Sequence, residues 1–231
     1  MHRTLLALCL SLAAVAAQAA DRPYLFANSA AAEEDEEQVW SVENWYRQAG
    51  RQKSLTVAPE YAFDPDTSLQ LEMRRVLDRD AGNGHEIEIE AKRLFNRISR
   101  DGWGWGVVAA IDMERPKGGP WERAAVSLSV PLTVQLGEGG SEGTLHFNAG
   151  IAKPREARRV FTGVIAAERE VWKRTSLFAE LAREAEGRLL HGGVRHWIKR
   201  ERLAVDLAWQ RVRSDELRGS GIVLGIAWYD L

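Results

Sequence analysis

One repeating unit runs through the chain from residue 39 to its end. It is a run of about ten residues in which apolar and polar side chains alternate, followed by a short turn. In the run HEIEIEAK, which begins at His85, isoleucines alternate with glutamates. Because successive side chains of a β-strand point to opposite faces, this period of two restricts the chain to strands with one apolar and one polar face.

The unit recurs often enough, and with turns short enough, to close a sheet on itself. The turn Asp64-Pro65-Asp66-Thr67 has proline at a favoured position, and Arg100-Asp101-Gly102 is similarly tight. An even number of strands joined in this way predicts an all-β fold, an antiparallel up-and-down barrel of about 12 strands, with about 10 as the alternative. The runs lie near residues 39–48, 53–63, 67–77, 85–97, 103–114, 121–134, 142–152, 159–171, 175–184, 188–198, 202–212 and 221–230.

Two prolines interrupt the pattern, because Pro59 and Pro131 fall inside runs where each amide should pair. Proline cannot donate to a β-ladder, and a closed barrel has no free edge to accommodate it. We therefore expect a bulge or an early strand end at each.

The N-terminus predicts export from the cytoplasm. Residues 1–19 have a short positive start, an apolar run from Leu5 to Ala16 and the cleavage pattern Ala17-Gln18-Ala19, as in a signal peptide. The run is too short and alanine-rich for a membrane anchor. Cys9, the single cysteine, lies in the removed part, so we expect no disulfide and no cysteine metal site. Residues 20–38 are small and acidic, which predicts a flexible periplasmic leader before a barrel of residues 39–231.

Periodicity alone leaves open which face of the barrel is inside. A soluble barrel turns its apolar face inward, whereas a membrane barrel turns it toward lipid. Aromatic residues gather at the strand ends on one edge of the predicted barrel, the edge where the first strand begins and the last strand ends. This position favours a membrane interface, although strand ends in soluble sheets are also aromatic. The interface aromatics are Trp40, Tyr61, Phe63, Phe95, Trp103, Trp105, Trp228 and Tyr229.

In the membrane interpretation, the polar face lines a lumen. Buried charges are costly unless paired, so we expect a paired network that plugs the lumen or lines a narrow aqueous path. In a soluble barrel the same residues form the solvated outer face. The candidates are Glu60, Glu72, Glu86, Glu88, Glu90, Lys92, Asp112, His146, Asn148, Glu168, Glu170, Glu180, Arg195 and Asp206.

The chain ends in the extended segment GIVLGIAWYDL, residues 221–231. An unpaired terminal strand invites aggregation, so we expect it to close the barrel against the first strand and to be recognised by the barrel-insertion machinery. Which face meets lipid stays open, because one register slip exchanges the two sets. One set is Val223, Gly225, Ala227, Tyr229 and Leu231, and the bulkier set is Ile222, Leu224, Ile226 and Trp228.

The segments YAFDPDTSLQLEM, GTLHFNAGIAK, SLFAELARE and GVRHWIKRERLAVDLAWQR, with the closing GIVLGIAWYDL, resemble a known family. They are similar to small bacterial outer-membrane barrels described as a MetA-pathway of phenol degradation or transporter-like type. The resemblance covers most of residues 39–231 and implies a conduit for small, aromatic or apolar molecules. The sequence departs from the pattern by lacking a terminal phenylalanine and by its many charges.

Catalytic patterns are weak in this sequence. His146 and His191 have no serine two residues further on, and the glycine-rich GEGGSEG lacks the lysine of a phosphate loop. The net charge of −2 gives no reason to expect nucleic acid binding. We therefore expect no enzyme activity, no catalytic residue, no metal and no cofactor.

Three functions remain at this point. The first is an integral barrel of the bacterial outer membrane, a passive channel or binding conduit for a small-molecule solute or a plugged structural barrel, with outer-membrane lipid as its surroundings. The second is an outer-membrane lipid-modifying enzyme. The third is a soluble periplasmic barrel that binds an apolar ligand.

Overall fold

The computed structural model describes residues 30–78, 82–183, 187–214 and 218–231. Twelve antiparallel strands form one closed barrel, in which each strand pairs with its neighbours in sequence and β1 pairs with β12. The predicted all-β, 12-stranded, up-and-down barrel is confirmed. The strands are β1 Val39–Ala49, β2 Gln52–Asp64, β3 Thr67–Asp78, β4 Gly82–Leu94, β5 Trp103–Pro116, β6 Glu122–Leu136, β7 Gly143–Pro154, β8 Val160–Trp172, β9 Thr175–Arg183, β10 Gly187–Lys199, β11 Leu203–Ser214 and β12 Arg218–Trp228.

Two short helical turns complete the described elements, namely α1 Ile98–Asp101 and a 3₁₀ turn at Glu138–Gly140. None of the helices among the described residues has the length and apolar character needed to span a bilayer. We call the edge where β1 begins and β12 ends the terminal rim, and the other edge the opposite rim.

Local side-chain chemistry fixes the tight turns between strands. In the turn between β2 and β3, the backbone N–H of Asp66 donates to Oδ1 of Asp64 over 2.9 Å, which is how Asx residues stabilise a reversal. Gly50, between β1 and β2, has a φ of 57°, a left-handed conformation that residues with a side chain rarely adopt. The strand ends follow from these turns.

The expectation for the two prolines was wrong, because neither one produces a bulge or ends a strand. Pro59 lies inside β2 opposite Val42, and the β2–β3 ladder resumes in the same register on either side of it. Pro131 pairs with Asn148 of β7 in an uninterrupted ladder. Each strand residue directs its amide to one neighbour only, so a proline leaves a local gap on that side and disturbs nothing else.

The apolar face of the barrel is outside. Outward positions along the strands carry exposed large apolar side chains, whereas buried positions on the inside include many charged and polar groups. This arrangement is the reverse of a water-soluble barrel. The outward apolar residues include Leu71, Met73, Ile89, Ile111, Leu128, Ile151, Ile165, Leu181, Leu207 and Leu224.

The terminal strand follows the same rule, which decides between its two sets. Ile222, Leu224 and Trp228 are exposed, while Val223 and Ala227 are buried inside. The bulkier set therefore faces outward. Tyr229, expected as an interface aromatic, is instead 4% exposed and contributes to the interior; its parity matches the inward set, which the aromatic pattern alone did not take into account.

The part of the leader that the structure describes is not a free segment. Ala31, Ala32 and Glu33 are buried, and the N–H of Asp35 donates to the carbonyl of Pro65 at the terminal rim over 3.2 Å. We call residues 30–38 the closing segment, because it enters the barrel from this rim. These residues are therefore docked on the barrel in this structure, and flexibility of the leader stays a prediction. The predicted signal peptide and residues 20–29 lie outside the described residues.

Candidate functional site

The barrel interior gathers the predicted polar residues. All of the lumen candidates occupy inward register positions of their strands, and Glu170, opposite the buried Ser176, is the one that is exposed at the rim. Glu170 lies near the terminal rim beside a register shift, and its carboxylate accepts a hydrogen bond from Arg200 over 2.8 Å. The interior has two dissimilar sides.

The first side is a tightly paired cluster, which we call the packed wall and which comprises β8 to β12 with β1. Arg195 donates two hydrogen bonds to Asp206, over 2.7 and 2.8 Å. Its third nitrogen donates to the Tyr229 hydroxyl over 3.1 Å, and that hydroxyl donates to Glu43 over 2.5 Å. The guanidinium also lies 5.5 Å from the Trp197 ring. Bidentate pairing with additional donors is what a buried arginine requires.

A second pair on this wall is His191 with Glu180, whose atoms lie 3.3 Å apart. Both side chains are fully buried, and Phe178 packs its ring edge-on against the histidine with centroids 5.3 Å apart. Gln210 donates to the backbone carbonyl of Gln48 over 3.3 Å. Polar groups on the packed wall are thus fixed by one another.

The second side, β2 to β5, is rich in carboxylates, and we call it the acidic wall. Glu72 on β3 pairs in register with Glu88 on β4, which pairs with Asp112 on β5. Directly opposed residues in a sheet have Cβ atoms about 5 Å apart, so three acids form one row across the lumen surface. Arg74 offsets part of this charge through Glu72 and Glu86, at 2.6 and 2.9 Å.

The closing segment covers the acidic wall near the terminal rim. Asp35 forms an ion pair with Lys92 of β4 over 3.1 Å, and Lys92 also lies 3.6 Å from Glu60. The carboxylate of Glu34 accepts the backbone N–H groups of Ile98 and Ser99, over 3.0 and 3.1 Å. These contacts attach the acidic leader to bases and donors of the barrel.

Deeper in the lumen, backbone contacts hold the same segment. The N–H of Ala32 donates to Oγ1 of Thr133 over 2.8 Å, and the Asn148 amide donates to the carbonyl of Ala30 over 3.1 Å. On β5, a Cβ added to Gly104 would lie 2.0 Å from the Ala32 oxygen. A glycine is therefore required where the segment approaches this strand.

Three buried ligand-type side chains meet at this contact. One potential ligand atom from each of Glu33, His146 and Glu168 lies within 4.8 Å of the others. Nδ1 of His146 lies 3.0 Å from Oγ1 of Thr133, and its Nε2 lies 3.5 Å from Glu168. Burial raises the pKa of Glu33 to about 8, and the charge of Glu168 adds to the shift.

This cluster bears on the enzyme hypothesis, which required a hydroxyl and a carboxylate near a histidine. His146 has Thr133 in place of a serine, and both are fully buried beneath the closing segment. The hydroxyl and the imidazole are therefore covered in this structure, where the Ala32 N–H of the closing segment donates to that hydroxyl.

Sequence reasoning missed several residues of the interior. Strand parity would have placed Thr133 and Glu43 on the inward face, but neither stands out in the pattern. Glu33 and Asp35 were missed because an acidic, aperiodic leader carries no signal for docking. In the sequence, the one sign of a binding partner for these acids was Lys92, a basic residue on the otherwise acidic face of its strand.

The two rims differ on the outside of the barrel. At the opposite rim Arg75, His85 and Arg115 are partners across three adjacent strands, and with Lys117 they line a cavity of about 420 Å³. Similar outward cations continue around this rim. Together they are Lys53, Arg75, His85, Arg115, Arg123, Lys153, Arg183, Arg188, Arg213 and Arg218.

The terminal rim carries most of the aromatic residues, together with exposed cations such as Arg93, Arg97 and Arg100. Trp40 and Tyr61 have ring centroids 5.0 Å apart, as do Tyr61 and Phe63. Phe95 lies 4.7 Å from Trp105. Trp103 and Trp228, like most of these rings, are exposed, so the expected aromatic set lies on the outer surface except for Tyr229.

Solved structures share this fold at low sequence identity. A structure described as the KdgM porin matches with a TM-score of 0.61 and 9% identity, covering 83% of this chain and 99% of that one. The NanC porin matches with a TM-score of 0.56 and 7% identity over 83% and 100%. Outer-membrane protein Omp33 of Acinetobacter baumannii matches with 0.53 and 10% over 84% and 98%.

Sequence comparison assigns the family. Residues 7–216 match the family described as "Uncharacterised conserved protein UCP029691", and because this match spans most of the chain, the protein belongs to that family. No curated protein matches the sequence. The resemblance to MetA-pathway barrels stays a prediction.

Proposed function

We propose that this member of the family is an integral outer-membrane barrel that conducts small polar solutes, with a preference for cations, and that the closing segment regulates its lumen from the periplasmic side. The observation that carries the membrane assignment is the inversion of the barrel: its apolar side chains face outward and its charges face inward. A contiguous apolar band of this extent is rare on soluble monomers.

The uneven distribution of aromatic rings between the rims, and the like-charged strand partners at the opposite rim, support an orientation. Aromatic rings at the terminal rim suit a lipid interface, and the arginines and lysines at the opposite rim suit phosphorylated lipid headgroups. Cross-strand partners such as Arg183 with Arg188, and Arg188 with Arg213, repel each other unless anions intervene. We therefore orient the opposite rim toward the phosphate-rich outer leaflet and the terminal rim toward the periplasm.

Lumen chemistry supports the solute class. The row of Glu72, Glu88 and Asp112 faces the interior, and part of the acidic wall is open to solvent. Rings and rows of carboxylates favour cations in a pore. This lining replaces the apolar or aromatic solute that the family resemblance implied, because such a molecule gains nothing from a charged wall.

The closing segment supports regulation. It is joined to the barrel by an ion pair at Asp35, two hydrogen bonds at Glu34 and a backbone hydrogen bond at Ala32. None of these bonds belongs to the β-ladder, so the segment can leave without breaking the sheet. A barrel with the segment docked is the closed form in this proposal.

Planar-bilayer recording tests conduction. The purified mature chain should give small or rare currents, and a variant lacking residues 30–37 should give larger, cation-selective currents whose reversal potential shifts in a salt gradient. The matched control is E36Q/E37Q, which changes two exposed acids and should behave as the intact chain. If the mature chain and the shortened variant both fold and neither conducts, the conduit proposal is wrong and the plugged structural barrel remains.

Fractionation tests the membrane assignment separately. The protein should remain with the outer membrane and migrate faster on a gel before boiling than after it, because a closed barrel resists unfolding by detergent. Release by osmotic shock, with no mobility shift, would contradict the assignment and return the soluble periplasmic barrel.

A further inference from the structure

We infer that Glu33, His146 and Glu168 form a binding site for one divalent metal ion, of the zinc class, that fastens the closing segment to the barrel wall. The three side chains come from three separate parts of the chain, namely the closing segment, β7 and β8. The inference does not depend on conduction, because binding is measured on the folded protein in detergent.

The donor set has the composition of a metal site. Two carboxylates and an imidazole are ligands that zinc and other first-row divalent ions accept. Nε2 of His146 and Oε1 of Glu168 are 3.5 Å apart, close to the roughly 3.3 Å between two ligands of a tetrahedral ion with bonds of about 2.0 Å. The widest separation in the cluster is within 4.8 Å, so a small rotation of one glutamate completes the set.

The histidine is supported from behind. Its Nδ1 lies 3.0 Å from Oγ1 of Thr133, and a hydrogen bond there leaves Nε2 available toward the carboxylates. Metal-binding histidines are regularly oriented by such a partner on the other ring nitrogen. The same Thr133 oxygen accepts the Ala32 N–H, so one hydroxyl positions both the imidazole and the closing segment.

The two buried carboxyl groups favour a cation at this point. Glu33 is 5% exposed, and its Oε2 has no hydrogen-bond partner within the described part of the chain. Unpaired buried carboxylates are costly, and a second carboxylate, Glu168, shares the cluster. A divalent ion offsets both charges and gives the buried oxygen a partner. Across the described residues, this is the single group of three ligand-type side chains with such spacing.

Zinc binding by the detergent-purified, mature chain tests the inference. Equilibrium dialysis and calorimetry should give one Zn²⁺ per barrel, with Mg²⁺ bound much more weakly because a nitrogen ligand suits zinc better. E33Q, H146Q and E168Q should each weaken zinc binding by at least about tenfold, equivalent to about 1.4 kcal/mol. Cobalt substitution should give the visible absorption of a tetrahedral site in the parent chain and not in these three variants.

A matched control is H191Q, which leaves Glu180 and its electrostatic effect on His146 in place. It removes the histidine of the other buried histidine–glutamate pair, whose atoms lie 3.3 Å apart, and should bind zinc as the parent does. Glu33 lies outside every described strand, so the E33Q variant tests the site even if H146Q prevents folding. Absence of bound zinc, or zinc binding that E33Q leaves unchanged in a folded barrel, would overturn the inference.

The metal should also slow escape of the closing segment. A glutamate-specific protease cuts after residues such as Glu33 and Glu34 when they are accessible. Cleavage of the parent chain should be slower with Zn²⁺ than with a chelator, and E33Q should abolish the difference between the two conditions. Equal cleavage in both conditions would show that the metal, if bound, does not fasten the segment.

Discussion

The packed wall and the acidic wall use charged residues in opposite ways. On the packed wall, Arg195 and Asp206 are fully buried and joined by two short hydrogen bonds. On the acidic wall, Glu72, Glu88 and Asp112 lie side by side and remain partly open to solvent. The first arrangement rigidifies one half of the barrel, and the second leaves a charged surface available to a solute. Inward-facing charged residues therefore stabilise the packed wall by pairing, whereas on the acidic wall they line the lumen surface.

The largest expected effect comes from breaking the packed wall. R195M leaves Asp206 buried without its partner, and removing one member of a buried pair costs roughly 3 to 5 kcal/mol. Urea unfolding in detergent should show this loss. The double variant R195M/D206L should recover much of it, because a matched apolar pair carries no unpaired charge. A small loss for R195M alone would mean that the two walls do not differ in rigidity.

A smaller effect is expected where the acidic wall meets the closing segment. In G104V the new side chain collides with the Ala32 carbonyl, so the segment should undock and its glutamates should be cleaved about tenfold faster, as for a loss of about 1.4 kcal/mol of local stability. G163A is the control, because its added Cβ would sit at an ordinary 3.7 Å from the Asn148 oxygen. Unchanged cleavage in G104V would show that the closing segment does not dock against Gly104.

The smallest effect on stability is expected on the acidic wall itself. E88Q replaces the central carboxyl group of the row, which shares a hydrogen bond with Asp112, by an amide that can keep this bond, so it should change the unfolding free energy by less than about 1 kcal/mol. In the variant without residues 30–37, the same substitution should lower cation selectivity severalfold. Destabilisation comparable to that of R195M would show that this wall is structural as well.

Much of the fold could be predicted from local pattern. The run expected near residues 67–77 is β3 Thr67–Asp78, and the run near 175–184 is β9 Thr175–Arg183. Alternation and turn residues such as Pro65 act within a few positions, so a sequence displays them directly. Tyr229 shows the limit, since an aromatic near a strand end fits a lipid interface and a buried cluster equally well until its face is known.

The candidate site was predictable only in part. His146 and Glu168 were expected in the lumen from their parity, and they lie there. Their partner Glu33 could not be anticipated, because residues 30–38 have no period and their docking depends on Gly104, Lys92 and Thr133, which are distant in sequence. The composition of residues 30–38 predicts a mobile segment, but in the structure these residues dock on a complementary surface inside the barrel.

Local patterns in the sequence predicted about twelve strands, their approximate ends and the two-faced character of each one, because a period of two and the chemistry of turns are local properties. Tertiary structure alone decided which face looks outward, since the pattern is the same for either choice and only closure of the barrel around its charges distinguishes them. It also decided that Ile222, Leu224 and Trp228 of the last strand face outward, that Tyr229 faces inward, and that the acidic leader docks on Thr133 and Lys92 inside the barrel. Those outcomes depend on contacts between residues far apart in the chain, which no local pattern encodes.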